Sequence, residues 1–536
     1  MTKENFLKGA AILGIAGILV KILGAFYRIP LSNMISDQGM GYYQSAYPLY
    51  TLLVAISTSG FPTAIAKIVS EKRALQDYAG AHRVFKVSFL GFLMAGLLTS
   101  VFVFFGAGYI VEIIGNTNAY YSLIAMTPAL FFVPIMSAFR GYFQGRQIMT
   151  PTAISQLIEQ LFRVTVGLFL AYQLLGKGLP QAAGGASFGA SAGAIAGTII
   201  IIGLYTRERK KIGEELKRSA AYKQESTSTI VKNILAIAIP ITIGASIVPI
   251  MTTIDTMLIM RRLQTIGYTE AQASGLFGQL SGNAQTLINL PQVLSIAIAM
   301  SLVPAISDAF TKRNYNDVKN ITTSGVRVTL LIGLPAALGL FILSTPIIQL
   351  LYFKYDLATQ LSTGAILKIL SISLIFLTLV QSFTAILQGL GKPMVPVKNL
   401  AIGAITKTIL TYILTGIPAI NVKGAAISTV VAYFIAAMLN FKEVKKYTKA
   451  DFKIMDVFIK PLLSVALMTI AVWLGYTYTT PVLGSKLATV VAICIGAIVY
   501  GLALLLTGAI TSEDFELLPK GNKLASKLKA IGLLRN

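Results

Sequence analysis

Long apolar runs separated by short polar stretches dominate this chain. Fourteen of them reach the roughly 20 residues that a helix needs to cross a bilayer. They lie near residues 9–30, 43–66, 84–108, 120–143, 152–175, 187–206, 230–260, 279–306, 322–344, 364–388, 395–416, 423–441, 456–478 and 484–507. Each far exceeds the roughly ten residues of a barrel strand, so the pattern predicts helices. Lys3 and Lys8 ahead of the run Gly9 to Val20 mimic a leader peptide. No small-residue cleavage site follows, and the run continues through Lys21 to Ile29, so a retained first membrane helix is expected.

Composition agrees. A soluble chain of 536 residues would suggest three or four domains. Apolar residues make up 55% and charged residues only 12%, with a mean hydropathy of +0.73. Soluble proteins carry about 25% charged residues, and a disordered chain would need low hydrophobicity. The fold class expected is an all-α polytopic membrane protein. The net charge is +24, from 45 Lys and Arg against 21 Asp and Glu. In a soluble protein that excess would suggest nucleic acid. In a membrane protein it reads as basic inner loops drawn to anionic lipid, so membrane lipids, not nucleic acid, are the expected partners. The single Cys494 and single His82 allow no intrachain disulfide and leave almost no scope for zinc. No metal or other cofactor is expected. No P-loop, nucleophile elbow or H-E-x-x-H is present, so catalysis finds no support.

Placing the N-terminus inside puts 34 of the 45 basic residues in inner segments, seven outside and four within spans. This split supports fourteen spans with both termini cytoplasmic in a cell membrane. The inner set includes Arg140 and Arg146, assigned to a turn between spans 4 and 5, and Arg327, counted in the 312–327 loop.

The two halves repeat. Pro62 ends span 2 and Pro304 ends span 8, 242 residues later. Gly91 and Gly333 share that offset, and Gln144 and Gln388 are 244 apart. A six-helix unit is even, so both copies enter the membrane in the same direction, related by an axis along its normal. The expected organisation is a first lobe at 1–206, a basic linker at 207–229 and a second lobe at 230–441. Two further helices at 442–510 and a tail at 511–536 complete it. Two six-helix lobes suit alternating access; no channel filter motif is present.

An ionisable group at the bilayer centre costs at least about 2.5–3.5 kcal/mol, so the few that occur stand out. Span 1 holds Lys21, with Arg28 near its outer end. Glu159 and Arg163 in span 5 are four apart and share a face. They form either a structural ion pair or a cavity-facing arginine with its orienting carboxylate. Arg261 and Arg262 end span 7, as helix caps or as substrate contacts. Asp255, amid Thr252, Thr253 and Thr256, suits a cation or proton site, or a counter-ion. Lys368 and Lys407 are the remaining intramembrane cations. Span 8 is polar without charge: Gln279, Ser281, Asn283, Gln285, Thr286 and Asn289 suggest a wet cavity wall, with Gln285 and Asn289 as candidate contacts. Tyr42, Tyr43, Tyr47, Tyr50, Tyr120 and Tyr121 suggest an aromatic belt, or less directly a sugar-stacking surface.

Several stretches resemble a known family. They are Ala25-Phe26-Tyr27-Arg28-Ile29-Pro30, Gly60-Phe61-Pro62-Thr63-Ala64-Ile65-Ala66 and Arg140-Gly141-Tyr142-Phe143-Gln144-Gly145. Met149-Thr150-Pro151-Thr152-Ala153-Ile154-Ser155, Gln156-Leu157-Ile158-Glu159-Gln160 and Asn289-Leu290-Pro291 extend the likeness. Together they resemble the Gram-positive MurJ/YtgP and SpoVB-like branch of the polysaccharide transporter family, in the superfamily that also holds MATE drug exporters. The resemblance implies two six-helix lobes, and a groove for a polyprenyl tail over 456–507. It implies a flippase for an undecaprenyl-pyrophosphate-linked cell-wall precursor, lipid II first, with cell-wall synthesis machinery as a further partner. A Wzx-type flippase for a teichoic, capsular or spore-cortex precursor is the alternative; a MATE-type drug:cation antiporter fits less well. In the Gram-negative branch span 1 has arginine at both ends of its motif. Here the first is Lys21 and the second, Arg28, falls one residue later. That branch also has an arginine before the span 8 proline, where this chain has Gln285, Thr286 and Asn289, which moves that role toward Arg261 or Arg262.

Overall fold

The computed structural model describes residues 3–510 except 221 and 223, with side chains from residue 12 onward. The tail expected at 511–536 lies outside the described residues. The described chain is helical throughout, without strands among the described residues. Among the described residues, twelve helical stretches are long and apolar enough to cross a membrane. Two of them count twice. The first helix, α1 (Lys3–Thr58), has one non-helical residue, Ser36 (φ 60°, ψ 179°). Along an unbroken helix Tyr27 and Tyr43 would stand about 24 Å apart; their ring centroids are 6.4 Å apart. The chain therefore doubles back at Ser36. The last helix, α15 (Lys460–Thr507), does the same at Gly484 (φ 72°), bringing Ser464 Oγ within 2.8 Å of Thr507 Oγ1. Among the described residues, ten single helices and two hairpins give fourteen segments long enough to cross.

Between them run α2 (Phe61–Ala74), α3 (Tyr78–Ile114), α4 (Tyr120–Gly145), α5 (Thr150–Leu174), α6 (Leu179–Lys217) and α7 (Thr227–Thr265). Next come α8 (Glu270–Phe277), α9 (Gln285–Thr311), α10 (Tyr315–Ile342), α11 (Ser344–Leu351), α12 (Leu357–Gly389), α13 (Met394–Thr415) and α14 (Lys423–Thr448). A π-helical turn, Gly278–Ala284, joins α8 to α9. The chain divides at that turn into two compact units, 1–278 and 279–536.

In the first unit α4 is the buried centre; α6 packs closely against it and, by another face, against α5. The reason is a glycine ladder. Gly185, Gly189, Gly193 and Gly197 recur every four residues and so line one face of α6. A Cβ at Gly189 would collide with the backbone oxygen of Arg163, and one at Gly193 with that of Glu159. Small residues let backbones meet where lipid gives no hydrophobic drive to associate. In the second unit α12 is the buried centre. The α15 hairpin leans on α10 and α11, where Tyr500 donates to the Leu331 carbonyl (2.6 Å) and Ser485 to Gln349 (3.0 Å).

The sequence repeat has a structural counterpart within each unit. At the end of α4, Gly145 sits against Val69 of α2; at the end of α12, Gly389 sits against Ile306 of α9. Either glycine, given a Cβ, would place it under 3 Å from that side chain.

Candidate functional site

Basic and aromatic side chains converge in the first unit, between the two arms of α1 and the middle of α5. On the first arm Gly14, Gly17, Lys21, Gly24 and Arg28 follow 3- and 4-residue steps and share one face. Glycine beside the cations leaves room there: a Cβ on Gly17 would meet nothing within 4 Å. Gly24 turns toward Gln160 of α5, whose Nε2 lies 3.4 Å from where a Cβ would stand. Arg28 lies over the Tyr47 ring, 5.5 Å from its centroid. Lys21 is exposed.

The second arm supplies tyrosines. Tyr43 and Tyr47 stack at 5.6 Å, and Tyr50 follows at 5.9 Å from Tyr47. Tyr27 reaches past Gly167 to donate to the Ala186 carbonyl (3.0 Å). Tyr42, Tyr43 and Tyr50 are buried, so the expected aromatic belt is corrected for them; Tyr120 and Tyr121 remain exposed.

Glu159 on α5 is shared by two guanidinium groups. Arg163 donates to one carboxylate oxygen (3.2 Å) and Arg140 of α4 to the other (3.0 Å). Arg140 also donates through Nε to Ser155 (2.9 Å). All three side chains are less than a fifth exposed. Arg140 is thus no turn residue, as its place in the basic tally assumed. It lies inside α4 and completes a two-arginine clamp. Arg327, counted in the same tally, is buried in α10. Arg163 also approaches the Tyr50 hydroxyl. Two guanidinium groups thus share one carboxylate in a setting where unpaired charge is costly, and Arg28 lies over the neighbouring Tyr47 ring.

The other sequence candidates fall elsewhere. Arg261 donates to the carbonyls of Glu112 and Ile113 (3.2 Å for the latter), capping the C-terminus of α3 instead of its own helix. Arg262 is half-buried beside it. Asp255 is buried in α7. The hydroxyls of Thr252, Thr253 and Thr256 donate to carbonyls one turn back in the same helix. In the second unit the polar run divides. Gln279, Asn283 and Thr286 are buried, which corrects their reading as cavity wall. Asn283 donates to the Tyr355 hydroxyl (2.9 Å), and Gln279 accepts from Ser362 (2.7 Å). Gln285 and Asn289 stay partly exposed and bond each other at 3.0 Å. Lys368 lies over the Phe341 ring.

One end of the first unit is sealed. Gly41 of α1 meets Ser274 of α8 so closely that a Cβ would strike the Ser274 carbonyl, and Gly278 meets Asp37 in the same way. Asn116 donates to both Ser45 (2.8 Å) and Ser274 (3.2 Å). Glu270 accepts from Thr117 and Asn118, and Gln264 donates to the Gly115 carbonyl (2.6 Å).

Comparison with known proteins sets this geometry in context. Residues 6–310 match the family described as polysaccharide biosynthesis protein, and residues 281–413 match MatE. The chain is 28% identical over 517 residues to the lipid II flippase MurJ of Bacillus subtilis, covering 93% of this chain and 94% of that one. It is 26% identical to stage V sporulation protein B of the same organism, covering 85% and 86%. Among solved structures it is similar to lipid II flippase MurJ in an inward closed conformation (TM-score 0.70, 17% identity, 92% of this chain and 98% of that one). It is also similar to an inward-facing multidrug resistance MATE family transporter of the MOP superfamily (TM-score 0.68, 14% identity, 81% and 94%). The matched family model spans more than half of the sequence: this multi-pass membrane chain belongs to the polysaccharide biosynthesis protein family, and its fold is that of the MurJ and MATE structures.

Proposed function

We propose that the chain is a flippase that carries an undecaprenyl-pyrophosphate-linked cell-wall precursor, lipid II, from the cytoplasmic to the outer leaflet by alternating access. The carrying observation is the cationic, tyrosine-lined cluster of Arg28, Arg163, Glu159 and Arg140, with Lys21 on the same helix face as Arg28. A pyrophosphate brings two phosphoryl groups, and guanidinium forks match their oxygens better than any neutral donor. Arg28, Lys21 and Arg163 hold the pyrophosphate, and Glu159 with Arg140 fixes the Arg163 fork. Gln285 and Asn289 offer neutral donors and acceptors to the sugar-peptide head. The polyprenyl tail stays in lipid and is received by the hairpin at 456–507. Both termini face the cytoplasm, the lobes are 1–206 and 230–441, and the contacts of α1 with α8 close the outer side. Asp255 is a counter-ion or the site of a coupling cation.

A second reading keeps the mechanism and changes the head group to a teichoic, capsular or spore-cortex precursor. Similarity to stage V sporulation protein B, close to that for MurJ, favours keeping it. One experiment separates the two. In a strain depleted of its own lipid II flippase, an external lipid II-cleaving toxin reports lipid II in the outer leaflet. Rescue by the wild-type chain, and about tenfold or greater loss with well-expressed Lys21→Ala or Arg163→Ala, is expected, since a charged hydrogen bond contributes about 1.5–3 kcal/mol. No rescue by a well-expressed wild type sinks the lipid II reading, and accumulation of another lipid-linked glycan would then support the second.

A further inference from the structure

The segment between α6 and α7 is not a free tether. Five contacts stitch Glu215, Ser219, Ala220, Gln224 and Glu225 to the corner formed by the end of α2 and the start of α3. Arg73 grips the Glu215 carboxylate with both ends of its fork, at 2.6 and 3.0 Å. Ser219 accepts from the Ala79 amide (2.9 Å), and the Ala220 amide donates to the Gln76 carbonyl (3.1 Å). Arg83 donates to Gln224 (2.6 Å) and Lys72 to Glu225 (2.7 Å). From the end of α4, Arg146 adds a second guanidinium to Glu215 at 3.2 Å.

Arg146 is the unusual member. Its side chain is only 2% exposed. One face lies over the Tyr142 ring, 5.7 Å from the centroid. Only Nη2 has a hydrogen-bond partner; Nε and Nη1 are buried without one. Two guanidinium groups therefore face a single carboxylate, with donors left over. A carboxylate brings two oxygens and one charge. A phosphate brings more oxygens and about twice the charge, free pyrophosphate more again, and either fills such a double fork more fully. Buried donors left unpaired are otherwise selected against, because each loses its water without return.

We propose that Arg73 and Arg146 form a seat for a phosphate-class oxyanion, that Glu215 fills it as a built-in substitute, and that the strap bearing Glu215, Ser219, Ala220, Gln224 and Glu225 is released by such an anion. The strap ends at Ser226, the N-cap of α7, so its release frees the start of that helix. The seat is separate from the α1–α5 cluster, and the inference does not depend on which lipid is carried. Its occupant can be a free phosphate or a lipid headgroup.

Lys217 and Arg218 in the strap are exposed and give trypsin a reporter. The full chain is reconstituted in phosphatidylcholine nanodiscs, and cleavage after these two residues is followed by mass spectrometry. Sodium pyrophosphate is compared with sodium chloride at equal ionic strength. Pyrophosphate is expected to speed strap cleavage about fivefold over chloride, as loss of one charge-assisted clasp would. Glu215→Gln is expected to be cleaved fast without any added anion. Glu215→Asp is expected to restore protection, and Arg146→Gln to abolish the pyrophosphate response. Release on replacing phosphatidylcholine with phosphatidylglycerol assigns the seat to headgroups; release by soluble pyrophosphate alone assigns it to a free or substrate-borne phosphate. Equal effects of chloride and pyrophosphate, or a protected strap in monodisperse Glu215→Gln, would overturn the proposal.

Discussion

The two units solve polarity inside a membrane differently. In the first, α5 carries charge, and Glu159 is clamped between Arg140 and Arg163 while glycines of α6 hold the helix at backbone distance. In the second, the turn into α9 carries only neutral groups, and Asn283, Gln279, Tyr355 and Ser362 satisfy one another in pairs. A charged clamp needs rigid walls, because a displaced carboxylate would leave two guanidinium groups unpaired. A neutral network tolerates slack, since each lost bond strands one dipole. Under the proposed function, selectivity for an anion would belong with the first arrangement, and tolerance of varied head groups with the second.

The contrast is broken most strongly at Glu159. Glu159→Ala is expected to destabilise the protein by about 3–5 kcal/mol, the cost of stranding a buried partner. A thermal unfolding shift in detergent measures it, and a shift no larger than that of Tyr355→Phe would erase the distinction between the units. Next comes the ladder. Gly193→Leu should cost about 1–3 kcal/mol by forcing α6 away from α5, and should lower transport even where the protein still folds. In the neutral network, Tyr355→Phe removes the acceptor for Asn283 and should cost about 1 kcal/mol, with transport kept. The smallest effect is expected at Asp356, the N-cap of α12, at the edge of that network. Thr359 donates to its carboxylate and holds it below the ordinary carboxylate range. A depressed acid stabilises above its unfolded pKa, and that contribution is lost as pH falls through the lower folded value. Asp356→Asn should therefore flatten only the acid limb of stability, by about 0.3 kcal/mol.

Much of the fold was legible in the sequence because bilayer thickness imposes a length on every crossing. The fourteen runs and the Glu159–Arg163 pair follow from spacing along single helices, and the repeat from a near-constant offset between the halves. What escaped is what two helices do together. Arg140 sits five residues before the end of α4, where a basic residue reads equally as an inner-loop charge. Only the α4–α5 packing shows its partner. The α6 ladder had a visible signal, glycine at every fourth position from 185 to 197, yet its meaning depends on which helix lies opposite. Arg261 capping α3 joins residues about 150 apart, and no local pattern announces that. Asn283 and Gln279 looked wet because polar side chains on a helix look alike whether they meet water or a neighbouring tyrosine.

The reversals at Ser36 and Gly484 have a practical consequence for anyone mapping this protein in cells. Each hairpin turns on a single residue, so neither offers a loop that could carry an epitope, a reporter enzyme or a protease site. An insertion at either point would have to pry open packed helices, and a silent reporter there would say nothing about which side of the membrane it occupies. Topology should be read instead from real connections, such as the stretches around Gly178, Gly267 and Lys354.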